Sequence, residues 1–176
     1  LRLRPELDDA SYGMGRCLLA LGDWKDGWLA HERRWFRPHH MAWRRDTGAP
    51  LWLGESLTGK FIAIVAERGF GDVIQFFRFV ESVRLMAASV SLVLPRALQR
   101  LLTPAEAEGP AGPFDYHCPL LSLPHRLGTT PLTVPGTQGY LRADPALAAP
   151  WRQRLGPATR PRIGLVWRGD PAHGND

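Results

Sequence analysis

The residues best suited to chemistry lie in the turn "ERGFGD", at positions 67–72. Two carboxylates, Glu67 and Asp72, flank the glycines Gly69 and Gly71. A carboxylate held at the N-terminus of a helix is favoured in its ionised form, and it can act as a general base toward a hydroxyl group. Asp72 is therefore the first candidate for a catalytic base, and Glu67 is the second.

The same turn also has a purely structural interpretation. Asp72 is a good helix N-cap residue, and Gln75 follows it at the spacing of a capping box. A dinucleotide-binding fingerprint would need a third glycine where Ile74 stands, and the P-loop pattern does not occur in the sequence. The sequence thus indicates either a helix cap or a site with a base, and it argues against a phosphate cradle.

The remaining candidates for chemistry are scattered. The histidines do not occur at metal-ligand spacing, and Cys17 and Cys118 fit neither a disulfide framework nor a zinc pattern, so we predict no metal site. The net charge of +5 comes almost entirely from arginine, which suits anionic ligands. Arginines and tryptophans between Arg33 and Arg45 could bind nucleic acid, but a solvated helix face with packed tryptophans is favoured. We therefore predict no nucleic-acid partner.

The elements that must position the turn alternate between strand and helix patterns. Apolar runs at 61–66 and 89–94 predict buried strands, and a third strand is expected near 115–117. Helical patterns cover 72–88 and 96–102. This alternation predicts an α/β fold with a Rossmann-like parallel sheet. Ligands bind such sheets at the carboxyl ends of the strands, which is where the turn lies.

The two ends of the chain have different patterns. Near the N-terminus, one helix should end at Gly22 and Asp23 should cap the next, giving a helical hairpin of about the size of one tetratricopeptide unit. Near the C-terminus, Pro145 can open a helix, and "RIGLVWRG" at 162–169 predicts a buried strand.

Three segments together resemble a known family. The "GFGD" turn with the following "IQF", the "SLP" segment and the "GLVW" segment resemble bacterial tetratricopeptide-repeat proteins with a glycosyltransferase-like domain related to the lipopolysaccharide heptosyltransferases. The resemblance implies the two-domain GT-B architecture, with this chain as a fragment that holds its N-terminal, acceptor-side half. The implied domains are a last repeat hairpin at 1–38, a linker at 39–60, the Rossmann-like domain at 61–160 and the first strand of the donor domain at 161–176.

The resemblance also implies an activity, which is the transfer of a sugar from a nucleotide-sugar donor to a sugar, lipid or protein acceptor. No cofactor and no metal would be needed, and the fragment alone is expected to be inactive. The implied site residues are Asp72 as base, Gly69, Gly71 and Gln75 for substrate, and Arg168 and His173 on the donor side.

A non-catalytic scaffold is the alternative function, in which the transferase domain is degenerate and the repeats bind a protein partner. A cytoplasmic location is expected for either function. The sequence contains no apolar stretch of about 20 residues that would span a membrane and no recognisable signal peptide. Its two isolated cysteines suit a reducing compartment.

Overall fold

The computed structural model describes residues 7–37, 46–67, 69–102, 112–136, 139–141 and 143–165. The chain divides into two units, Leu1–Arg142 and Ala143–Asp176. In the first unit, a helical hairpin packs on a three-stranded parallel sheet and its helices. Among the helices of these residues, none has both the length and the apolar character needed to cross a membrane.

The hairpin has the two caps that the sequence predicts. Helix α1 (Asp8–Leu21) ends at Gly22, whose φ of 89° is a left-handed conformation that glycine adopts readily. Helix α2 (Trp24–His31) follows Asp23, whose side chain accepts a hydrogen bond from the Asp26 N–H at 3.3 Å. After α2, a 3-10 helical segment, Glu32–Phe36, extends the hairpin toward the sheet.

The two hairpin helices cross where each carries a glycine. A Cβ atom on Gly15 would lie 2.9 Å from the backbone nitrogen of His31 and 3.0 Å from the carbonyl oxygen of Gly27. A Cβ atom on Gly27 would lie 2.8 Å from Cγ of Leu19. These distances leave no room for a methyl group, so the glycines permit the close approach of α1 and α2.

The sheet confirms the predicted α/β fold class. Its strands are β1 (Phe61–Val65), β2 (Ser89–Val93) and β3 (Tyr116–Pro119), all parallel and in the order β2–β1–β3. The central strand β1 is buried from Ile62 to Val65, as expected for a strand covered on both faces. The Asp115 carboxylate accepts hydrogen bonds from the Phe61 N–H at 2.8 Å and from Nζ of Lys60 at 3.0 Å, which ties the start of β3 to the start of β1.

The helices between the strands differ from the prediction in one place. The predicted continuous helix after β1 is divided into α3 (Phe70–Phe76), a 3-10 turn (Phe77–Phe79) and α4 (Val80–Arg84). Phe77 and Phe79 are both buried, although a regular α-helix would place them on opposite sides. The tighter 3-10 turn brings their side-chain directions closer together and lets both rings reach the core.

Two further helices complete the first unit. Helix α5 (Arg96–Leu102) follows β2, as the sequence predicts. Helix α6 (Leu123–Arg126) follows β3 through the 3-10 turn Leu120–Ser122. The described part of the predicted linker, residues 46–60, contributes Trp52 and Leu57 to the hydrophobic core.

The second unit contains the predicted helix but lacks the predicted strand in its described part. Helix α7 (Pro145–Leu155) begins after Asp144, whose side chain accepts a hydrogen bond from the Ala146 N–H at 2.8 Å. Residues 161–165 form no strand, and Ile163 and Leu165 are 85% and 76% exposed. An apolar run forms a strand only where another strand pairs with it, and none does so in this part of the chain. The remainder of the predicted strand lies outside the described residues.

The crossing of α1 and α2 can be tested with one pair of glycines. Gly15→Ala should destabilise the protein by about 1–3 kcal/mol, because its methyl group would overlap the backbone of α2. Gly13→Ala is a matched control in the same helix, since no atom beyond its chain neighbours and the backbone of α1 lies within 4 Å of a Cβ there. Alanine is the better helix former by roughly 0.5–1 kcal/mol, so this control should not lose stability. Equal free energies of unfolding for the two variants in urea titrations would contradict the close crossing.

Candidate functional site

A buried arginine joins the hairpin to the carboxyl end of β1. Arg34, in the 3-10 segment, and Glu67, after β1, are 0% and 1% exposed. Nε of Arg34 donates to Oε2 of Glu67 at 3.0 Å, and Nη2 donates to Oε1 at 2.8 Å. This two-point geometry is the strongest and most directional form of an arginine–carboxylate pair.

Other polar groups complete the arrangement around this pair. Nη2 of Arg34 also donates to Oγ of Ser122 at 2.6 Å, and Nη1 donates to Oε1 of Glu32 at 2.5 Å. The Leu121 N–H donates to Oε1 of Glu67 at 3.0 Å. The pair therefore connects three segments of the chain, namely the end of the hairpin, the segment that follows β1 and the turn after β3.

The same surroundings shift the ionisation of both partners. Burial raises the pKa of the Glu67 carboxyl above its ordinary value, whereas the Arg34 guanidinium and the Leu121 N–H act in the opposite direction. Burial alone would lower the pKa of Arg34, but the carboxylates of Glu67 and Glu32 raise it above its ordinary value. Because both oxygens of Glu67 accept hydrogen bonds from Arg34, this residue is poorly placed to act as a base.

One cavity opens at the carboxyl ends of β1 and β3, and its volume is about 650 Å³. In the strand order β2–β1–β3, the chain adds β2 on one side of β1 and then returns to add β3 on the other. Such a switch point is where doubly wound sheets bind their ligands, so we name this space the switch-point cavity. Its described lining is Glu32, Trp35, Phe36, Asp46, Leu51, Val65, Glu67, His117, Pro119 and Arg126.

A second cavity, of about 440 Å³, lies where the hairpin meets α3, and we name it the hairpin groove. Its described lining is Tyr12, Arg16, Leu19, Trp28, His31, Arg37, Asp72, Phe76 and Leu121. Two of these residues contact the buried ion pair, since Nδ1 of His31 is 3.3 Å from Nη1 of Arg34 and Leu121 donates to Glu67. The buried pair is therefore in contact with the walls of both cavities.

Asp72 lies in the hairpin groove, in the first turn of α3, but it does not cap the helix. The N-cap residue is Gly69, and α3 begins at Phe70, so the predicted capping box of Asp72 with Gln75 is wrong. Glycine is an acceptable N-cap residue, which lets the helix begin before the carboxylate. Asp72 is half-buried and forms no hydrogen bond or ion pair with any residue that the structure describes.

The other predicted site residues that the structure describes do not line a cavity together with Asp72. Gly69, Gly71 and Gln75 are exposed and are absent from the described lining of both cavities. Arg168 and His173 lie outside the described residues. No group of three or more potential metal ligands occurs in the part of the chain that the structure describes.

Sequence reasoning missed Arg34, because its neighbours carry the same side chain. Arg33 and Arg37 pair with the first-turn carboxylates of α1, Arg33 with Asp8 at 3.3 Å and Arg37 with Asp9. Of these three arginines, only Arg34 is fully buried, and it pairs with Glu67 beyond β1 instead of with α1. No local pattern separates these three arginines, although Arg34 lies next to Trp35, whose ring is 4.6 Å from its guanidinium carbon.

Comparison with known proteins corrects the family assignment. The chain is 29% identical over 180 residues to Protein FlbA of Caulobacter vibrioides, an alignment that covers 86% of this chain and 30% of FlbA. The chain thus spans less than a third of that protein's length. No family model and no solved structure matches the chain. The predicted membership of the tetratricopeptide-repeat glycosyltransferase family is wrong, because no family model supports it and the name of this relative refers to neither feature.

The contribution of the buried ion pair to stability can be tested by replacing the Glu67 carboxylate with an uncharged amide of nearly the same shape. Glu67→Gln should lower the free energy of unfolding by about 3 kcal/mol, because it leaves the buried Arg34 without a full countercharge. Glu81→Gln is the control, since Glu81 is exposed and pairs with Arg84 at 3.4 Å on the surface of α4. Its loss should stay below about 1 kcal/mol. Chemical denaturation of both variants measures the difference, and similar losses would contradict a structural role for Glu67.

Proposed function

We propose that the protein containing this chain transfers a sugar from a nucleotide-sugar donor to a hydroxyl-bearing acceptor, with Asp72 as the general base. The observation that carries the proposal is a half-buried carboxylate without a partner among the described residues, in a groove with aromatic walls. The proposal rests on the chemistry of this groove and not on the family resemblance.

The walls of the hairpin groove suit a sugar acceptor. Tyr12, Trp28 and Phe76 line it, and the rings of Trp28 and Phe76 meet edge to face at a centroid distance of 5.8 Å. Aromatic rings pack against the C–H faces of sugar rings, while a carboxylate accepts hydrogen bonds from sugar hydroxyl groups. The groove also presents the polar side chains of Arg16, Arg37 and Asp72, which can form hydrogen bonds with sugar hydroxyl groups.

The proposed reaction is a direct displacement. The acceptor hydroxyl oxygen forms a bond to the anomeric carbon of the donor, and Asp72 takes the proton from that hydroxyl. The bond from the anomeric carbon to the nucleotide phosphate breaks, and its electron pair leaves with the phosphate. Asp72 lies in the first turn of α3, on the wall of the groove.

We also propose a cytoplasmic location. Cys17 and Cys118 are both free thiols, and Cys17 is exposed. Free exposed thiols persist where the surroundings are reducing.

A non-catalytic interaction scaffold is the second candidate function. It is favoured by large apolar side chains that the hairpin leaves exposed, among them Met14, Leu21 and Leu29. A protein partner that covered these side chains would remove their apolar surface from water. In this alternative, the hairpin binds a protein and Asp72 has no catalytic role.

The two functions differ in the effect of Asp72→Asn in the full-length protein. If Asp72 is the base, sugar transfer should fall by about 10²–10⁴-fold while the free energy of unfolding stays nearly unchanged, because the side chain has no described partner to lose. Asp26→Asn is a matched control, since Asp26 lies in the first turn of α2 and is exposed. Transfer is measured as product formed with a panel of nucleotide sugars.

Two outcomes would contradict the proposal. Transfer by Asp72→Asn at the parent rate would remove Asp72 as the base. Absence of transfer by the parent protein with every donor and acceptor tested would favour the scaffold.

A further inference from the structure

Helix α7 exposes a stripe of apolar side chains. Leu147, Trp151 and Leu155 follow one another at intervals of four residues, which places them on one face of the helix. They are 54%, 59% and 52% exposed, and α7 contains no buried residue. The packing of the described residues therefore leaves this apolar face open to solvent.

Two arginines border the stripe, one on each side. At about 100° of rotation per residue, Arg154 lies roughly 20° from Leu147, and Arg152 lies roughly 60° beyond Leu155 on the other edge. The guanidinium carbon of Arg154 is 5.6 Å from the centroid of the Trp151 ring. Both arginines are exposed and form no ion pair with any residue that the structure describes. Arginines in these positions hold their charge in a polar layer while their stems and the stripe lie in an apolar one.

The segment around α7 is strongly basic. Residues 143–165 contain four arginines, and Asp144 is their one carboxylate. Asp144 accepts a hydrogen bond from the Ala146 N–H at the start of the helix, at the opposite end from the arginines. Nη2 of Arg162 donates to the carbonyl oxygens of residues 155, 156 and 157 at 2.6, 2.9 and 2.8 Å, which holds it beside the last turn. The positive charge therefore gathers at the C-terminal end of α7.

This combination of apolar surface and charge matches one kind of partner. An apolar stripe that contains tryptophan and is bordered by arginines is typical of helices that lie in the headgroup layer of a membrane. Anionic headgroups complement the excess of arginine, and each basic residue near such a surface contributes about 1 kcal/mol. A nucleic acid would also complement the charge, but it would leave the leucines of the stripe in water.

We propose that α7 binds to the surface of a membrane that contains anionic lipids. The stripe enters the boundary between headgroups and acyl chains, and the guanidinium groups of Arg152 and Arg154 lie among the lipid phosphates. The axis of the helix lies parallel to the membrane surface. This contact uses neither cavity, so it holds whether or not the protein transfers sugars.

Sedimentation of the full-length protein with lipid vesicles tests the role of the stripe. Vesicles of equal parts of phosphatidylcholine and phosphatidylglycerol should bind the protein. Trp151→Ala should weaken this binding by about 5- to 30-fold, because the indole ring would no longer be buried in the headgroup layer. Phe70→Ala is a matched control, since Phe70 is an aromatic residue of α3 in the first unit and is 53% exposed. This control should leave the binding unchanged.

The role of the arginines is tested separately with the same vesicles. The double variant Arg152→Gln, Arg154→Gln should weaken binding by about 10- to 30-fold, since each charge contributes about 1 kcal/mol near anionic headgroups. The double variant Arg96→Gln, Arg100→Gln is the control, because both of these arginines are exposed on α5. Added salt should weaken the binding of the parent protein through screening of the charges.

Three results would overturn the proposal. The first is an absence of sedimentation with the mixed vesicles, which would indicate that protein covers the stripe instead. The second is equal binding to vesicles of phosphatidylcholine alone, which would remove the recognition of anionic lipids. The third is an equal loss of binding in Trp151→Ala and Phe70→Ala, or in the two arginine variants, which would place the membrane contact outside α7.

Discussion

The buried pair of Arg34 and Glu67 is the interaction on which the arrangement of both cavities depends. Moving an ion out of water costs several kcal/mol, and a buried pair recovers this only with good geometry and additional hydrogen bonds. Here the carboxylate accepts two bonds from the guanidinium and a third from the Leu121 N–H. Such a pair tolerates little displacement, so it holds the hairpin at one position on the sheet. Since Glu67 lines the switch-point cavity and Leu121 lines the hairpin groove, movement of the hairpin would change the shape of both.

The two cavities differ in what they offer a ligand. The hairpin groove is formed jointly by the hairpin and α3, and it holds Asp72 beside aromatic rings. The switch-point cavity lies at the ends of β1 and β3, and its described lining includes the exposed ring of Phe36 and the imidazole of His117. Because their linings differ in this way, we assign the sugar acceptor to the hairpin groove alone.

Local sequence patterns predicted the helices and strands of this chain better than they predicted its tertiary contacts. Continuous apolar runs were sufficient for β1 and β2, and Gly22 and Asp23 were sufficient for the hairpin turn, because those signals act within a few residues. The 3-10 turn at Phe77–Phe79 and the unpaired segment at 161–165 depend on packing and strand partners that no local window contains. Arg34 was missed for the same reason, since its partners Glu67 and Ser122 are 33 and 88 positions away. The family assignment failed because it relied on short motifs.

A double-mutant cycle on Arg34→Met and Glu67→Leu tests the central claim most directly. Each single substitution should cost about 3–5 kcal/mol, because it leaves the other charge buried and unpaired. The double variant, which removes both charges, should cost less than the sum of the two by about 2 kcal/mol or more. The partly exposed pair of Asp8 and Arg33, 3.3 Å apart, provides a control cycle whose coupling should remain below about 1 kcal/mol. Additive losses for Arg34 and Glu67 in equilibrium unfolding would contradict the view that this pair holds the hairpin on the sheet.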